Sequence, residues 1–245
     1  MEPVFEELDF KQTPHGDISL RRRSEPRLND IIIYEVKLNE EFLMSSLFTE
    51  AEVQLAHIAL KQVLTHTTYE QLDVVVGGLG LGYTAAAALE NPSVASIQVI
   101  DVMLPVIDWH KNELIPLSHQ ITHDSRCTLT HADFYQLAGS TSSGFSTLSK
   151  NQLAHAVLLD IDHSPSHLLN QENNDFYTQT GLQQLSNKMH PGGIFGLWSN
   201  DPPDENFISL LNTVFENAWT QIISFPNPYT LENSENTIYF ATTYK

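Results

Sequence analysis

Cysteine is almost missing from this chain of 245 residues. Cys127 stands alone, which excludes an intramolecular disulfide. A reducing compartment is the simplest setting for such a sequence, and we expect the protein to be cytoplasmic. Runs of about 18 apolar residues, the length that a membrane helix needs, are missing as well. The chain begins Met-Glu-Pro without a basic segment followed by an apolar one, so we expect neither a secretory leader nor a membrane partner.

Basic residues are scarce too. Only 12 Lys and Arg stand against 30 Asp and Glu, which gives a formal net charge of −18 and a pI near 4.8. A protein that binds duplex nucleic acid needs clustered basic side chains to replace the phosphate counterions, so this class of partner is disfavoured. A cationic or neutral small molecule suits the charge better, although an acidic surface that only confers solubility explains it equally well.

A glycine-rich stretch is the strongest local pattern in the chain. A β-branched run at residues 74–76 gives way to the alternating glycines Gly78, Gly80 and Gly82, and then to strong helix formers. This order predicts a buried parallel strand, a tight turn (the glycine loop, residues 77–82) and the start of a helix. Glycines leave no Cβ between the backbone and a ligand, so main-chain N–H groups there can approach a ribose or an adenosine-linked group.

The glycine spacing favours one class of nucleotide over another. Tyr83 stands where the dinucleotide fingerprint needs a third small residue, which argues against NAD or FAD. The G-x-G-x-G spacing is the one that domains binding S-adenosylmethionine use. A glycine-rich turn without any ligand is the structural alternative.

Acidic residues follow the next three predicted strands. Asp101 ends a strand that begins at Val94, Asp133 follows a strand at 127–131, and Asp160 follows an apolar strand at 154–159. In an open α/β sheet, ligands bind outside the carboxyl ends of the strands. Asp101 is therefore predicted to accept from both ribose hydroxyls, with a plain helix cap as the alternative. Asp133 could accept from an adenine amino group, and Asp160 is the best catalytic candidate.

Asp160 belongs to a local cluster that has a second interpretation. Asp162, His163 and His167 lie close to it in sequence, and carboxylates with imidazoles suit divalent cations. Nothing fixes a ligand spacing, however, and we expect no bound metal.

The N-terminal residues 1–48 are predicted to form a small β unit. Its strand-like stretches are residues 18–20 and 31–38, with three arginines at 21–23 that we interpret as a solvated strand end. Thr49 and Glu52 have the spacing of a capping box, which predicts that a helix begins there. A larger unit, 49–245, would follow.

The remainder is predicted as further helices and strands, without an internal repeat. The predicted elements are a mobile loop at 139–149, a helix at 176–190, a turn at 191–193, a strand at 194–199, a helix at about 205–217, and two antiparallel strands at 219–225 and 237–244.

Together, these features resemble the class I S-adenosylmethionine-dependent methyltransferase fold, and within it the spermidine synthase (polyamine aminopropyltransferase) family. The likeness rests on the glycine loop, Asp101, Asp133, Asp160 with Pro165 nearby, and the stretch from Phe176 to Gly193. It implies an α/β, Rossmann-like, mostly parallel sheet with a C-terminal antiparallel hairpin, preceded by a small N-terminal β unit. It also implies a homodimer.

The resemblance implies an enzyme that transfers an aminopropyl group from decarboxylated S-adenosylmethionine to an amine, such as a polyamine. The glycine loop, Asp101 and Asp133 would bind the adenosyl group. Asp160 would be the base, because a protonated amine must lose a proton before it attacks. Asp162 or Tyr177 would orient the amine.

Two departures from the family keep other functions open. The aspartate of the family's glycine loop is missing, since the positions are Leu79, Gly80 and Leu81. Ser164 precedes Pro165 where the family has an aspartate. A small-molecule methyltransferase that uses intact S-adenosylmethionine is one alternative, and a nucleotide-binding protein without catalysis is another.

Overall fold

The computed structural model describes residues 3–39, 41–142, 144–145, 152–230 and 232–245. Its first part is an antiparallel sheet, the N-terminal sheet, with strands in the order β1-β2-β3-β4. These strands are β1 (Phe5–Thr13), β2 (Gly16–Glu25), β3 (Ile31–Leu38) and β4 (Glu41–Ser45), with a 3-10 turn at Pro26–Leu28. The predicted β unit therefore contains two strands, β1 and β4, that the sequence pattern does not indicate.

The three arginines lie within β2, so their interpretation as a solvated strand end is wrong. Arg21 and Arg23 donate to the buried carboxylate of Glu35 at 2.7 and 2.9 Å, and Arg22 pairs with Glu6 at 2.8 Å. Because these acids face β2 from β3 and β1, the ion pairs hold neighbouring strands together.

The second sheet, the main sheet, has the order β10-β11-β9-β8-β5-β6-β7. The strands from β5 to β9 run parallel to one another, whereas β11 is antiparallel to both β9 and β10. The order confirms the predicted class I methyltransferase fold with a closing hairpin. The strands are β5 (Leu72–Gly77), β6 (Val94–Asp101), β7 (Cys127–His131), β8 (Ala154–Leu159), β9 (Met189–Ser199), β10 (Asn217–Pro226) and β11 (Asn233–Thr242).

Helices cover both faces of the main sheet. Successive residues of a strand point to opposite faces, so Val74 and Val76 pack in one core while Val75 packs in the other. The first core contains the apolar faces of α1 to α4, and the second those of α5 to α7. The helices are α1 (Glu50–His66), α2 (Tyr83–Leu89), α3 (Leu104–Lys111), α4 (Ser118–Thr122), α5 (Phe134–Gly139), α6 (Gln179–Ser186) and α7 (Glu205–Leu211).

Several predicted boundaries are wrong. The helix expected at 176–190 is a 3-10 helix, Gln171–Tyr177, followed by the shorter α6. β9 begins at Met189, so the turn expected at 191–193 lies within the strand assignment. The helix expected at 205–217 ends at Leu211. Part of the loop expected at 139–149, namely residues 143 and 146–149, lies outside the described residues.

The helix start at Thr49 is confirmed, but the reciprocal capping bonds are not formed. Thr49 makes no side-chain cap bond, and its backbone N–H donates to the carboxylate of Glu50 instead.

Among the described residues, the helices are too short or too polar to span a membrane.

Candidate active site

A cavity of about 830 Å³ opens at the carboxyl ends of β5, β6 and β8. The strand order reverses between β5 and β8, which is where ligands bind in open α/β sheets. The glycine loop, Asp101, Asp133 and Asp160 all line this cavity. Residues from the N-terminal sheet, including His15 and Met44, line it from the other side. A volume of this size suits a nucleoside that carries a side chain.

Three of the four loop glycines have positive φ, at 93° for Gly78, 48° for Gly80 and 93° for Gly82. A Cβ on Gly78 would lie 2.1 Å from the carbonyl oxygen of Asp160, and one on Gly80 would lie 2.8 Å from Sδ of Met44. A Cβ on Gly82 would lie 2.4 Å from Cδ1 of Ile121. Backbone geometry and close protein packing therefore require glycine here, in addition to any approach by a ligand.

Asp101 holds the glycine loop in shape. Its Oδ2 accepts from the backbone N–H of Leu79 at 2.9 Å, and its Oδ1 accepts from that of Met103 at 2.7 Å. Burial raises the pKa of this carboxyl, although backbone N–H groups oppose the shift. Each carboxylate oxygen has two lone pairs, so both oxygens keep acceptor capacity toward the cavity.

Asp133 caps α5. Its Oδ1 accepts from the backbone N–H groups of Tyr135 at 2.8 Å and Gln136 at 3.1 Å. Both bonds go to the same oxygen, and the residue lines the cavity. Oδ2 can therefore serve a ligand that donates a hydrogen bond.

Asp160 meets two groups that come from other elements. The hydroxyl of Thr84, in the first turn of α2, donates to its Oδ2 at 3.0 Å and lies 3.3 Å from the carbonyl oxygen of Glu52. Glu52, in the first turn of α1, also lines the cavity. Burial raises the pKa of Asp160 to about 6. Burial, and then the charge of Asp160, raise the pKa of Glu52 to about 8.

Sequence reasoning missed Glu52, since it interprets this residue as half of a capping box. The capping-box spacing predicts a glutamate that reaches back to the helix start, whereas the structure places Glu52 in the lining of the cavity.

Asp162 and Tyr177 contact each other in the segment that follows β8. Asp162 is buried, its Oδ2 accepts from the hydroxyls of Tyr177 at 2.8 Å and of Tyr135, and its Oδ1 accepts from the backbone N–H of Leu169 at 2.8 Å. Neither Asp162 nor Tyr177 is among the described residues that line the cavity. These bonds position the segment after β8, and the contact of Asp162 or Tyr177 with an amine stays a prediction.

The lining of the cavity is acidic. Its described lining contains Glu52, Asp101, Asp133, Asp160 and Glu235, but neither Lys nor Arg. Carboxylates without basic partners favour a cationic ligand, because burying unpaired charges is costly. Trp198 also lines the cavity, and its buried indole N–H has no hydrogen-bond partner among the described residues.

A different cluster at the opposite ends of the strands resembles a metal site in composition only. Asp73, His155 and His190 offer ligand atoms within 4.8 Å of one another. However, Nδ1 of His155 accepts from the backbone N–H of Asp73 at 2.9 Å, and the two imidazole rings are stacked 4.0 Å apart. Lone pairs in two stacked ring planes do not converge on one ion.

The fold has close counterparts among solved structures. A spermidine synthase in complex with the transition state analogue AdoDATO gives a TM-score of 0.69 at 16% identity, covering 96% of this chain and 73% of that one. A spermidine synthase from Thermotoga maritima gives 0.67 at 16% identity, covering 96% and 72%. A probable spermidine synthase from Corynebacterium glutamicum gives 0.63 at 12% identity, covering 98% and 80%. The chain has the spermidine synthase fold.

This likeness confirms the resemblance at the level of the fold and extends it to the N-terminal sheet, because nearly the whole chain is covered. Family models give no match, and neither do curated protein sequences.

Proposed function

We propose that the protein is a spermidine synthase-like transferase that moves an aminopropyl group from decarboxylated S-adenosylmethionine to an amine. The observation that carries this proposal is the cavity beside the glycine loop, whose described lining contains five acidic residues and neither Lys nor Arg. The fold shared with spermidine synthases supports it. Both substrates of such a reaction are cations, and the acidic cavity suits both of them.

The charge also favours one form of the donor. Intact S-adenosylmethionine carries a carboxylate, which needs a basic side chain or free N–H donors when it is buried. The described lining offers no Lys or Arg for it, and the nearby carboxylates would repel it. The decarboxylated form lacks this group and keeps the ammonium, which the acids can bind.

Residues of this chain can perform each part of the proposed reaction. The glycine loop, Asp101 and Asp133 would bind the adenosyl group. When bound, the donor supplies an electrophilic methylene carbon next to a sulfonium, and its C–S electron pair leaves with methylthioadenosine. Asp160 would take the proton from the amine nitrogen that attacks this carbon, and a pKa of about 6 suits a base that works near neutral pH.

A small-molecule methyltransferase is the second candidate. Leu79 and Leu81 are buried in the glycine loop, so the loop contributes no acid to repel the carboxylate of intact S-adenosylmethionine. This reaction would use the same adenosyl contacts. A protein that binds the nucleotide without catalysis is the third.

The test offers both donors to the protein with a panel of diamines and polyamines. Mass spectrometry would follow methylthioadenosine and aminopropylated amines for the decarboxylated donor, and methylated amines for the intact one. We expect aminopropyl transfer. Methylation alone would establish the second candidate, and calorimetric binding of either donor without any product would establish the third.

The proposal includes a cellular location and an oligomeric state. The single Cys127 suits a reducing cytoplasm, and the resemblance implies a homodimer. Light scattering of the purified protein measures the assembly, and a monomeric mass at micromolar concentration would contradict it.

A further inference from the structure

The glycine loop provides backbone groups but no charge to a ligand. Leu79 and Leu81 are 4% exposed and pack in the core that contains α1 and α2. Any carboxylate that binds a cation next to this loop must therefore come from another element.

Glu52 is the acid that another element supplies. The first turn of α1 places it in the cavity, and its carbonyl oxygen lies 3.3 Å from the hydroxyl of Thr84, two residues after the loop. The same hydroxyl donates to Asp160 at 3.0 Å. Glu52, Thr84 and Asp160 thus meet where α2 begins, on the side of the cavity that the glycine loop forms.

The two carboxylates lack a basic partner in the described part of the chain. Asp160 and Glu50 are the charged side chains that influence Glu52, and both are acids. Burial and the charge of Asp160 raise the pKa of Glu52, and a cation bound against its carboxylate would restore the charged form. A primary ammonium has three N–H donors and can bind this carboxylate.

We infer that Glu52 is the carboxylate that binds the primary ammonium of the aminopropyl donor, as the counterpart of the acid that the glycine loop lacks. This inference rests on the proposed function. Glu52 is assigned to the ammonium of the donor, and not to the acceptor amine, because Glu52 and Thr84 adjoin the glycine loop. The part of the cavity formed by β9 and β11 is lined instead by Asn200, Glu235 and Asn236. That second region is left for the acceptor.

Calorimetry with three ligands tests the inference. Decarboxylated S-adenosylmethionine carries the ammonium, methylthioadenosine lacks it, and intact S-adenosylmethionine adds the carboxylate. We expect Glu52→Gln to weaken binding of the decarboxylated donor about 10- to 100-fold, the range for a lost hydrogen bond to a charged group. Binding of methylthioadenosine should not change, which also shows that the variant folds.

Glu50→Gln is the matched control, since Glu50 is an exposed acid in the same helical turn and does not line the cavity. This variant should bind the decarboxylated donor and methylthioadenosine with unchanged affinity. If Glu52→Gln weakened binding of the decarboxylated donor and of methylthioadenosine equally, or weakened neither, the assignment would be overturned while the proposed function stayed intact. Weakened binding of an acceptor amine with unchanged donor binding would overturn it in favour of the acceptor. A wild-type protein that binds the decarboxylated donor no better than methylthioadenosine would also overturn the assignment, whereas the absence of aminopropyl transfer in the product assay would overturn the proposed function.

Discussion

Asp160 and Glu52 belong to different elements, one directly after β8 and the other in the first turn of α1. Asp160 takes one hydrogen bond from Thr84, and Glu52 adds a second carboxyl group nearby, whose pKa burial raises to about 8. At the scale of single residues, the proposed chemistry depends on this pair. One carboxylate has a pKa suited to taking a proton, and the other is free to bind a cation.

Asp160→Asn should lower turnover by roughly 10²- to 10⁴-fold, the usual contribution of a positioned general base. Asparagine keeps the shape and can still accept from Thr84, so affinity for methylthioadenosine should stay the same. Steady-state kinetics and calorimetry measure the two quantities. Thr84→Ser, which keeps the hydroxyl, is the control. Undiminished turnover in Asp160→Asn would remove Asp160 from the mechanism.

The contribution of Glu52 to the stability of the ligand-free protein should decrease as pH rises. Its pKa is about 8 in the folded chain and 4.5 ordinarily, so between these values the folded state binds a proton that the unfolded state has released. Its contribution therefore destabilises the fold progressively from about pH 4.5 to pH 8.

Glu52→Gln removes this titration and should stabilise the fold at pH 8 by on the order of 1 kcal/mol or more, because one pKa unit corresponds to ~1.4 kcal/mol. Thermal unfolding at pH 6 and pH 8 measures the effect. The gain should be smaller at pH 6, where Glu52 is already protonated in the folded chain. Equal gains at both pH values would mean that Glu52 does not titrate in this range.

At the scale of elements, the glycine loop fixes β5 against the end of β8. Gly78→Ala should cost at least ~1–3 kcal/mol, the cost of an unfavourable φ, because its Cβ would also meet the backbone oxygen of Asp160 at 2.1 Å. Gly80→Ala should cost about 1 kcal/mol, because φ is 48° and the flexible end of Met44 can move. Chemical denaturation gives both values.

Gly139→Ala is a control for these two variants, since its Cβ would lie 3.5 Å from Oε1 of Gln184, an ordinary contact. Its stability should change little. If Gly78→Ala were as stable as Gly80→Ala, the close approach between the backbones of Gly78 and Asp160 would be contradicted.

Elements with a strong apolar pattern could be predicted from the sequence, and exposed ones could not. β8 has the predicted bounds because all six of its residues are buried and all but His155 are apolar. β1 has a mostly exposed pattern with acids and a lysine, so its sequence lacks the alternation that marks a half-buried strand.

The same limit applies to the candidate site. Asp101, Asp133 and Asp160 could be predicted because each follows a strand whose end meets the cavity. Glu52, Met44 and Trp198 reach the cavity from elements distant in sequence. Only tertiary packing brings them there, and no local pattern records it.

At the scale of the whole molecule, the N-terminal sheet is fixed over the main sheet by specific contacts. Trp109 of α3 donates from its indole N–H to Asp9 at 2.7 Å, and the hydroxyl of Tyr229 donates to the buried Glu25 at 2.9 Å. These bonds anchor the N-terminal sheet at separate points, so the cavity has a defined wall on both sides. The predicted division at residue 48 stays a prediction, and the site would draw on both units.

The net charge of −18 should assist the capture of cationic substrates in a way that salt reveals. Charges on the surface act at a distance of about 10 Å at 0.1 M ionic strength and only ~3 Å at 1 M, so added salt weakens their attraction for a polyamine. We expect the KM for a polyamine to rise on the order of 3- to 10-fold between 0.05 and 0.5 M salt, because steering by charge depends steeply on ionic strength.

Methylthioadenosine is neutral, so its affinity should stay constant. It serves as the control for salt effects on the cavity itself. Neutralising an acid that lines the cavity, as in Glu235→Gln, should reduce this salt dependence, whereas Glu50→Gln on the outer surface should leave most of it. A KM that does not respond to salt would mean that the acidic surface serves solubility alone, the alternative that composition left open.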